Sequence, residues 1–216
     1  MQSSETGGLR SQASFRPAPN KWQTRFPSNM VAPRSMAKPI DSAELTVTTS
    51  PRAFVGEVAC GDAISEALTF LADVYRRDLG AVPTEEPCSD EVYMLVRGHR
   101  GAVVASCRLL GPAARPFDFE DAVCLAKLEP PPTSPALVGR LCVHPDFRNA
   151  SLSLPIHRSL AITMIEYAQS SGVTDLLLYT YANLVNFYRM GGFSDTHITF
   201  HHRFWGDVRL MRRRIV

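Results

Sequence analysis

The chain has 216 residues, 45% hydrophobic and 20% charged, which suits one domain with a sizeable core. No apolar run approaches the ~20 residues that span a bilayer, so no membrane partner is expected. Residues 1 to 40 carry +5 (six basic residues against Glu5) while the whole chain carries +2, leaving −3 for residues 41 to 216. A body of that sign argues against a nucleic-acid partner.

The cysteines are Cys60, Cys88, Cys107, Cys124 and Cys142, odd in number and at least 17 residues apart. No pair has metal-ligand spacing, so no metal site is predicted. Cys107 and Cys142 fall inside apolar runs and read as small core residues. With no signal peptide ahead of them, the cysteines indicate a reducing, cytoplasmic compartment.

In chain order, residues 1 to 40 are rich in Ser, Pro, Gln, Asn and Arg and lack a sustained apolar period. They read as a disordered tail before a single domain at 41–216. Their Arg- and Ser-rich, acid-poor make-up is also that of an organelle transit peptide. Pro17, Pro19, Pro27, Pro33 and Pro39 break the amphipathic helix that a mitochondrial presequence needs. Met36 stands as an alternative start.

"AELTVTT" (43–49) alternates and is β-branched, which predicts a strand. Asp62 is placed to cap a helix over 63–79, with Ile64, Ala67, Leu68, Leu71, Val74 and Tyr75 as its apolar face and Gly80 as its stop. "EVYMLVRG" (91–98) and "GAVVASCRLL" (101–110) predict a hairpin turning at "GHRG". Residues 111–135 are less regular, with a short helical piece near "FEDAVCLAKL", and suit a substrate-specific insertion or lid. "ALVGRLCV" (136–143) is a fourth strand, stopped by Pro145. A helix follows over 154–171, with Pro155 in its first turn and Leu160, Met164, Tyr167 and Ala168 as its stripe. "TDLLLYTY" (174–181) is a buried strand. A short helix over 183–190 ends at Gly191 and Gly192, and "FSDTHITFHH" and "DVRLMRRRI" are the last two strands. The predicted class is a mixed α/β sheet with flanking helices.

Two segments carry a resemblance. Val143-His144-Pro145 closes the fourth strand, and Arg148-Asn149-Ala150-Ser151-Leu152-Ser153 leads into a helix. About 40 residues later, Tyr188-Arg189-Met190-Gly191-Gly192-Phe193 ends the short helix. Together, and in this element order, they resemble the GNAT acyltransferase superfamily over about residues 43 to 216. The resemblance implies an α+β fold, mostly antiparallel, that splays between its fourth and fifth strands. It implies an N-acyltransferase that moves an acyl group, acetyl being the expected one, from acyl-CoA (acetyl-CoA) to a primary amine of a small molecule by direct attack. It assigns pyrophosphate binding to Arg148, Asn149, Ala150, Ser151, Leu152 and Ser153, where loop N–H groups meet the positive end of a helix dipole. It lines the pantetheine slot with Leu141, Cys142, Val143 and the helix start at Asn183, and gives the oxyanion a backbone N–H near Cys142 or Val143. Tyr188 would protonate the leaving thiolate.

The sequence also departs from that pattern. Both loop glycines are serines, Ser151 and Ser153, which crowd a pyrophosphate but add hydroxyls. The asparagine two turns before the tyrosine is Tyr181, with Asn183 and Asn186 as the nearest substitutes. "RRDLG", "CRLLGP", "PF" and "GRLCV" resemble the acyl-homoserine-lactone and N-acyl amino acid synthases. These take acyl groups from the phosphopantetheine of acyl carrier protein, a donor with no adenosine diphosphate end. Leu137 stands where the lactone synthases carry a glutamate, and no S-adenosylmethionine site is readable. A non-catalytic module that binds an acyl thioester is the third reading. Candidate bases are His144, Glu129, His201 and His202, with none assigned. The cationic run at 209–216 is either a surface that steers an acidic carrier protein or a charged strand edge.

Overall fold

The computed structural model describes residues 54–80, 88 and 90–215, so the predicted tail and the predicted strand at 43–49 lie outside the described residues. The main elements are β1 (Val55–Val58), α1 (Asp62–Leu79), β2 (Glu91–Arg97), β3 (Val103–Leu110) and β4 (Pro135–Val143). They continue with α2 (Ala150–Ser170), β5 (Asp175–Thr180), α3 (Val185–Met190), β6 (Ser194–His202) and β7 (Gly206–Arg214). The strands form one sheet in the order β1-β2-β3-β4-β5-β7-β6. Every pair is antiparallel except β4 with β5. This is the mixed, mostly antiparallel α/β sheet expected from the sequence.

β1 is absent from the sequence reading. Its "VGEV" has no apolar alternation, and Val55 is exposed. Its place is set by a close approach: a Cβ on Gly56 would fall 2.1 Å from Thr163 Oγ1 and 3.0 Å from the Ser159 carbonyl. Glycine therefore lets this edge strand lie against α2. α1 forms as predicted, but Gly61 takes the cap position and Asp62 is the first helical residue. Ala67, Leu71 and Val74 are buried while Ile64 and Leu68 stay exposed.

The sheet has a core on each face. One face carries α2 and α3, with Ile156, Leu160, Met164 and Ala168 packed on Met94, Leu176 and Leu178. On the opposite face, α1 covers Tyr93, Leu95 and Cys142. Residues 111–135 bring Phe117, Phe119, Val123, Leu125 and Leu128 against Leu137, Leu177, Phe200 and Leu210. The segment read as a substrate-specific insertion or lid thus packs its side chains into the core. Its predicted helical piece is a set of turns with one 3-10 turn at Leu125–Lys127. A fork from Arg115 to Glu120, whose carboxyl also accepts the Phe117 N–H, holds the turn and keeps that carboxyl below the usual range.

The cationic run is not a strand edge, and three of its four arginines are engaged. β7 lies between β5 and β6. Arg209 pairs with Asp195, Arg212 donates to Asp175 and to the Pro130 carbonyl, and Arg213 donates to the Gly191 carbonyl.

Candidate active site

The site begins with a defect in β4. Ser106 pairs with Cys142 but Arg108 pairs with Gly139, so β4 spends one more residue than β3 over this stretch. That is a β-bulge, and Arg140 takes it up in the left-handed region at φ 52°. Below the bulge, β4 and β5 pair from Pro135 with Asp175 to Leu137 with Leu177, and no further. Above it they part, giving the predicted splay.

The gap is a cavity of about 220 Å³. Because strand side chains alternate, it opens through the sheet. Val138, Leu141, Leu178 and Tyr188 belong to the α2/α3 face. Leu137, Tyr179, Tyr181, Trp205 and Val208 belong to the opposite core. Tyr75 comes from α1, Arg108 from β3 and Arg140 from the bulge. The lining has four tyrosines and two arginines, and no carboxylate or histidine among the described residues.

Backbone direction adds a donor. The His144 N–H donates to the Val104 carbonyl at 2.8 Å. In an antiparallel ladder the direction alternates, so the Val143 N–H and carbonyl point away from β3, to the side that β5 has left. The Val143 carbonyl indeed accepts from Arg148 Nε at 2.8 Å. Cys142, one residue earlier, faces its backbone to β3.

Tyr188 sits on α3, whose end is set by Gly191 and Gly192. Gly192 has φ 82°, and the Gly191 and Phe193 N–H groups both donate to the Tyr188 carbonyl. Phe187 and Phe193 pack edge-on to the tyrosine ring. Burial, with Cys107 nearby, pushes its hydroxyl up to about 12. It is therefore a proton donor at neutral pH. Burial also pushes the Cys107 and Cys142 thiols up to about 12, so neither is a ready nucleophile.

Of the other predicted residues, Leu141 lines the cavity, while Cys142 and Val143 are buried beside it. Asn183 and Asn186 are exposed, and Asn186 accepts from Arg189. The loop before α2 is closed on itself. Asn149 caps the helix, its side chain accepting from the Leu152 N–H at 3.0 Å and from the Ser151 hydroxyl at 2.8 Å. Its carbonyl accepts from the Ser153 N–H at 2.9 Å. The helix thus starts at Ala150, one turn before the predicted 154, and Pro155 falls in the second turn. Arg148 turns back to the Val143 carbonyl and to Asp78 of α1. The Ser153 hydroxyl meets His157 Nδ1 at 3.1 Å.

None of the four candidate bases lines the cavity. Glu129 is exposed, and His201 is exposed and pairs with Asp207. His144 faces Asp146. His202 is buried on the far side of Tyr179, stacked on its ring at 4.9 Å. Sequence reasoning missed Tyr75, Arg108, Arg140, Tyr179 and Trp205. The Gly139-Arg140 pair inside a strand was the available sign of a bulge.

No protein-family model matches the chain, and no curated protein matches it. Solved structures do. An N-acyl amino acid synthase, FeeM, from uncultured soil microbes superposes with a TM-score of 0.62 at 11% identity, over 77% of this chain and 93% of that one. The CoA-dependent acyl-homoserine lactone synthase BjaI, determined with SAM and isopentyl-CoA, gives 0.57 at 14%, over 76% and 84%. An acyl-CoA N-acyltransferase from Pseudomonas aeruginosa gives 0.52 at 16%, over 74% and 99%. The chain has the fold these proteins share, that of the GNAT acyltransferases.

Proposed function

We propose that the protein is an N-acyltransferase that moves an acyl group from a pantetheine thioester to the amine of a small molecule. The observation that carries this reading is the cavity through the sheet, lined by a neutral, half-buried tyrosine, Tyr188, with a strand N–H turned toward the gap. Leu141, Val138 and Leu178 would hold the pantetheine arm from the α2/α3 side. The Val143 N–H would donate to the thioester oxygen as it becomes an oxyanion. Tyr188 would give its proton to the departing thiolate. The amine would approach from the opposite face and attack directly, which agrees with the protonated state of Cys107 and Cys142.

The lining favours one class of acceptor. Two guanidinium groups and no carboxylate among the described residues suit an amine that brings its own carboxylate, such as an amino acid. Arg108, held 3.7 Å from Glu91, and Arg140 would orient that carboxylate. The donor is acyl-CoA or an acylated carrier protein, which share the pantetheine arm. The self-capped loop favours the carrier protein, whose arm lacks a pyrophosphate.

The test uses acetyl-CoA, octanoyl-CoA and octanoyl carrier protein as donors, with proteinogenic amino acids and simple alkylamines as acceptors. Thiol release and product mass are read together. An N-acyl amino acid as the main product supports the reading. Absence of any amide, with octanoyl-CoA at ~100 times its dissociation constant still raising the melting temperature by several degrees, would leave a binding module.

A further inference from the structure

Among the described residues no carboxylate or histidine lines the cavity to act as a base, yet the attacking amine must lose protons. On the acceptor face, one lining residue connects to a carboxylate outside. The Tyr179 hydroxyl donates to Asp118 Oδ2 at 2.9 Å. His202 Nε2 meets the same oxygen at 3.1 Å. The roles on the histidine follow from its other side, where Nδ1 faces the Phe204 and Trp205 N–H groups at 3.1 and 3.3 Å. Nδ1 is therefore the acceptor, and Nε2 carries the hydrogen that it donates to Asp118. The carboxylate takes two side-chain donors, and its side chain is 30% exposed while that of His202 is 2% exposed. One end of this chain thus reaches the cavity and the other reaches water.

We infer that Tyr179 and Asp118 form the exit for the amine proton, with His202 fixing the carboxylate. The inference rests on the acyltransferase reading. The acceptor arrives as an ammonium with one N–H on the Tyr179 oxygen. That proton passes to the tyrosine oxygen as the phenolic proton passes to Asp118 Oδ2. The N–H bond breaks, an O–H bond forms on Asp118, and tyrosine is restored. The freed lone pair forms the N–C bond at the thioester carbon and the C–S bond breaks. Tyr188 protonates the thiolate and recovers a proton from the second N–H of the adduct. Asp118 then releases its proton to solvent. The products are one amide, one thiol and one proton.

Tyr179 touches the substrate and is a catalytic residue. Asp118 acts through it and is a positioning residue. The charged and titratable groups around the pair are His202 on β6, Arg108 with its partner Glu91 and Arg140 at the cavity, and the Arg115–Glu120 fork in the same segment as Asp118.

The experiment compares wild type, Asp118→Asn and Tyr179→Phe with octanoyl-CoA, or octanoyl carrier protein if that is the donor used, and the best amino acid acceptor. kcat/KM is measured from about pH 6 to about pH 10, across the range in which the amine loses its proton. Asparagine still accepts from His202, and phenylalanine still stacks on it, so either variant alone can carry the test if the other fails to fold. The expected result is a loss of about 100-fold at neutral pH that closes to within about fivefold once the free amine dominates. Methoxyamine, already neutral at pH 7, should show little difference between the proteins. A deficit equal at every pH, or less than about threefold at neutral pH, would overturn the proton exit while leaving the acyltransferase reading intact. A wild-type protein that acylates no amine from any donor overturns both.

Discussion

The sharpest prediction concerns Tyr188→Phe. The substitution removes one oxygen and keeps the ring that packs edge-on against Phe187 and Phe193. Its hydroxyl is pushed up to about 12 by burial, so wild type carries the proton at every pH usable in an assay. In the variant the thiolate must leave without a donor or find water in a largely apolar slot. General-acid assistance contributes about 10²- to 10⁴-fold, or about 2.7 to 5.4 kcal/mol of barrier. We expect kcat to fall within that range, with octanoyl-CoA affinity and melting temperature close to wild type. The same burial sets a pH rule. The folded pKa lies above the usual tyrosine value, so the stability tied to this proton is complete below about pH 10 and is lost as pH rises toward 12. Wild-type kcat should therefore show no alkaline fall from Tyr188 below about pH 10. Thiol release under saturating donor reads the loss directly. A Tyr188→Phe enzyme within threefold of wild type would refute the assignment of this tyrosine as the acid.

Three further outcomes follow from packing and charge. Asp175→Ala strands the buried Arg212 guanidinium, which donates to Asp175 at 2.7 Å and to the Pro130 carbonyl at 2.6 Å. Removing one partner of such a pair costs about 3 to 5 kcal/mol, so thermal melts should show a drop of roughly 10 °C. Gly56→Val forces a side chain into Thr163 and Ser159, and denaturant titration should show a loss of about 1 to 3 kcal/mol. Burial lowers the pKa of His157 despite its hydrogen bond to the Ser153 carbonyl. Below about pH 6.5 the unfolded chain binds a proton that the folded chain resists, so stability falls as pH drops through this value. His157→Asn should flatten that acid-side decline in melting temperature.

The element order from α1 onward was legible because it rests on local signals: the apolar period of α1 and α2, the hairpin glycines, and a strand stopped by Pro145; the splay came only with the resemblance. Tyr188 was legible because a short helix closed by two glycines fixes its place. The rest depends on contacts far apart in sequence. The arginines of β7 read as a surface charge run because nothing local says the strand lies between two others. His202 read as a candidate base because its partner, Asp118, lies 84 residues away. Residues 111–135 lack a period, yet their phenylalanines fill a core face, since a segment needs no regular structure to bury aromatic rings. The start of α2 was misplaced because Pro155 looked like a first-turn residue. The asparagine at 149, followed by good cap spacing, was the stronger signal.

That asparagine bears on the donor. A phosphate at the start of α2 would compete with Asn149 for the Leu152 N–H and with the asparagine for the Ser151 hydroxyl. Displacing such a cap costs about 1 kcal/mol. A phosphate there gains about 0.3 to 2 kcal/mol from the dipole and about 1.5 to 3 kcal/mol for each charged hydrogen bond it forms. Arg148 does not tip the balance, because its guanidinium is committed to Asp78 and the Val143 carbonyl. With those two bonds the net is about 2 to 7 kcal/mol after the cap is displaced, so the arm inside the slot would carry a larger share of the donor's affinity than at a loop whose donors and arginine are uncommitted. A coenzyme A ester and a carrier-protein ester would present the same arm to Leu141 and Val143. Truncating coenzyme A to pantetheine should therefore cost this protein about 1 kcal/mol less than it costs one whose loop grips the pyrophosphate without a cap to displace.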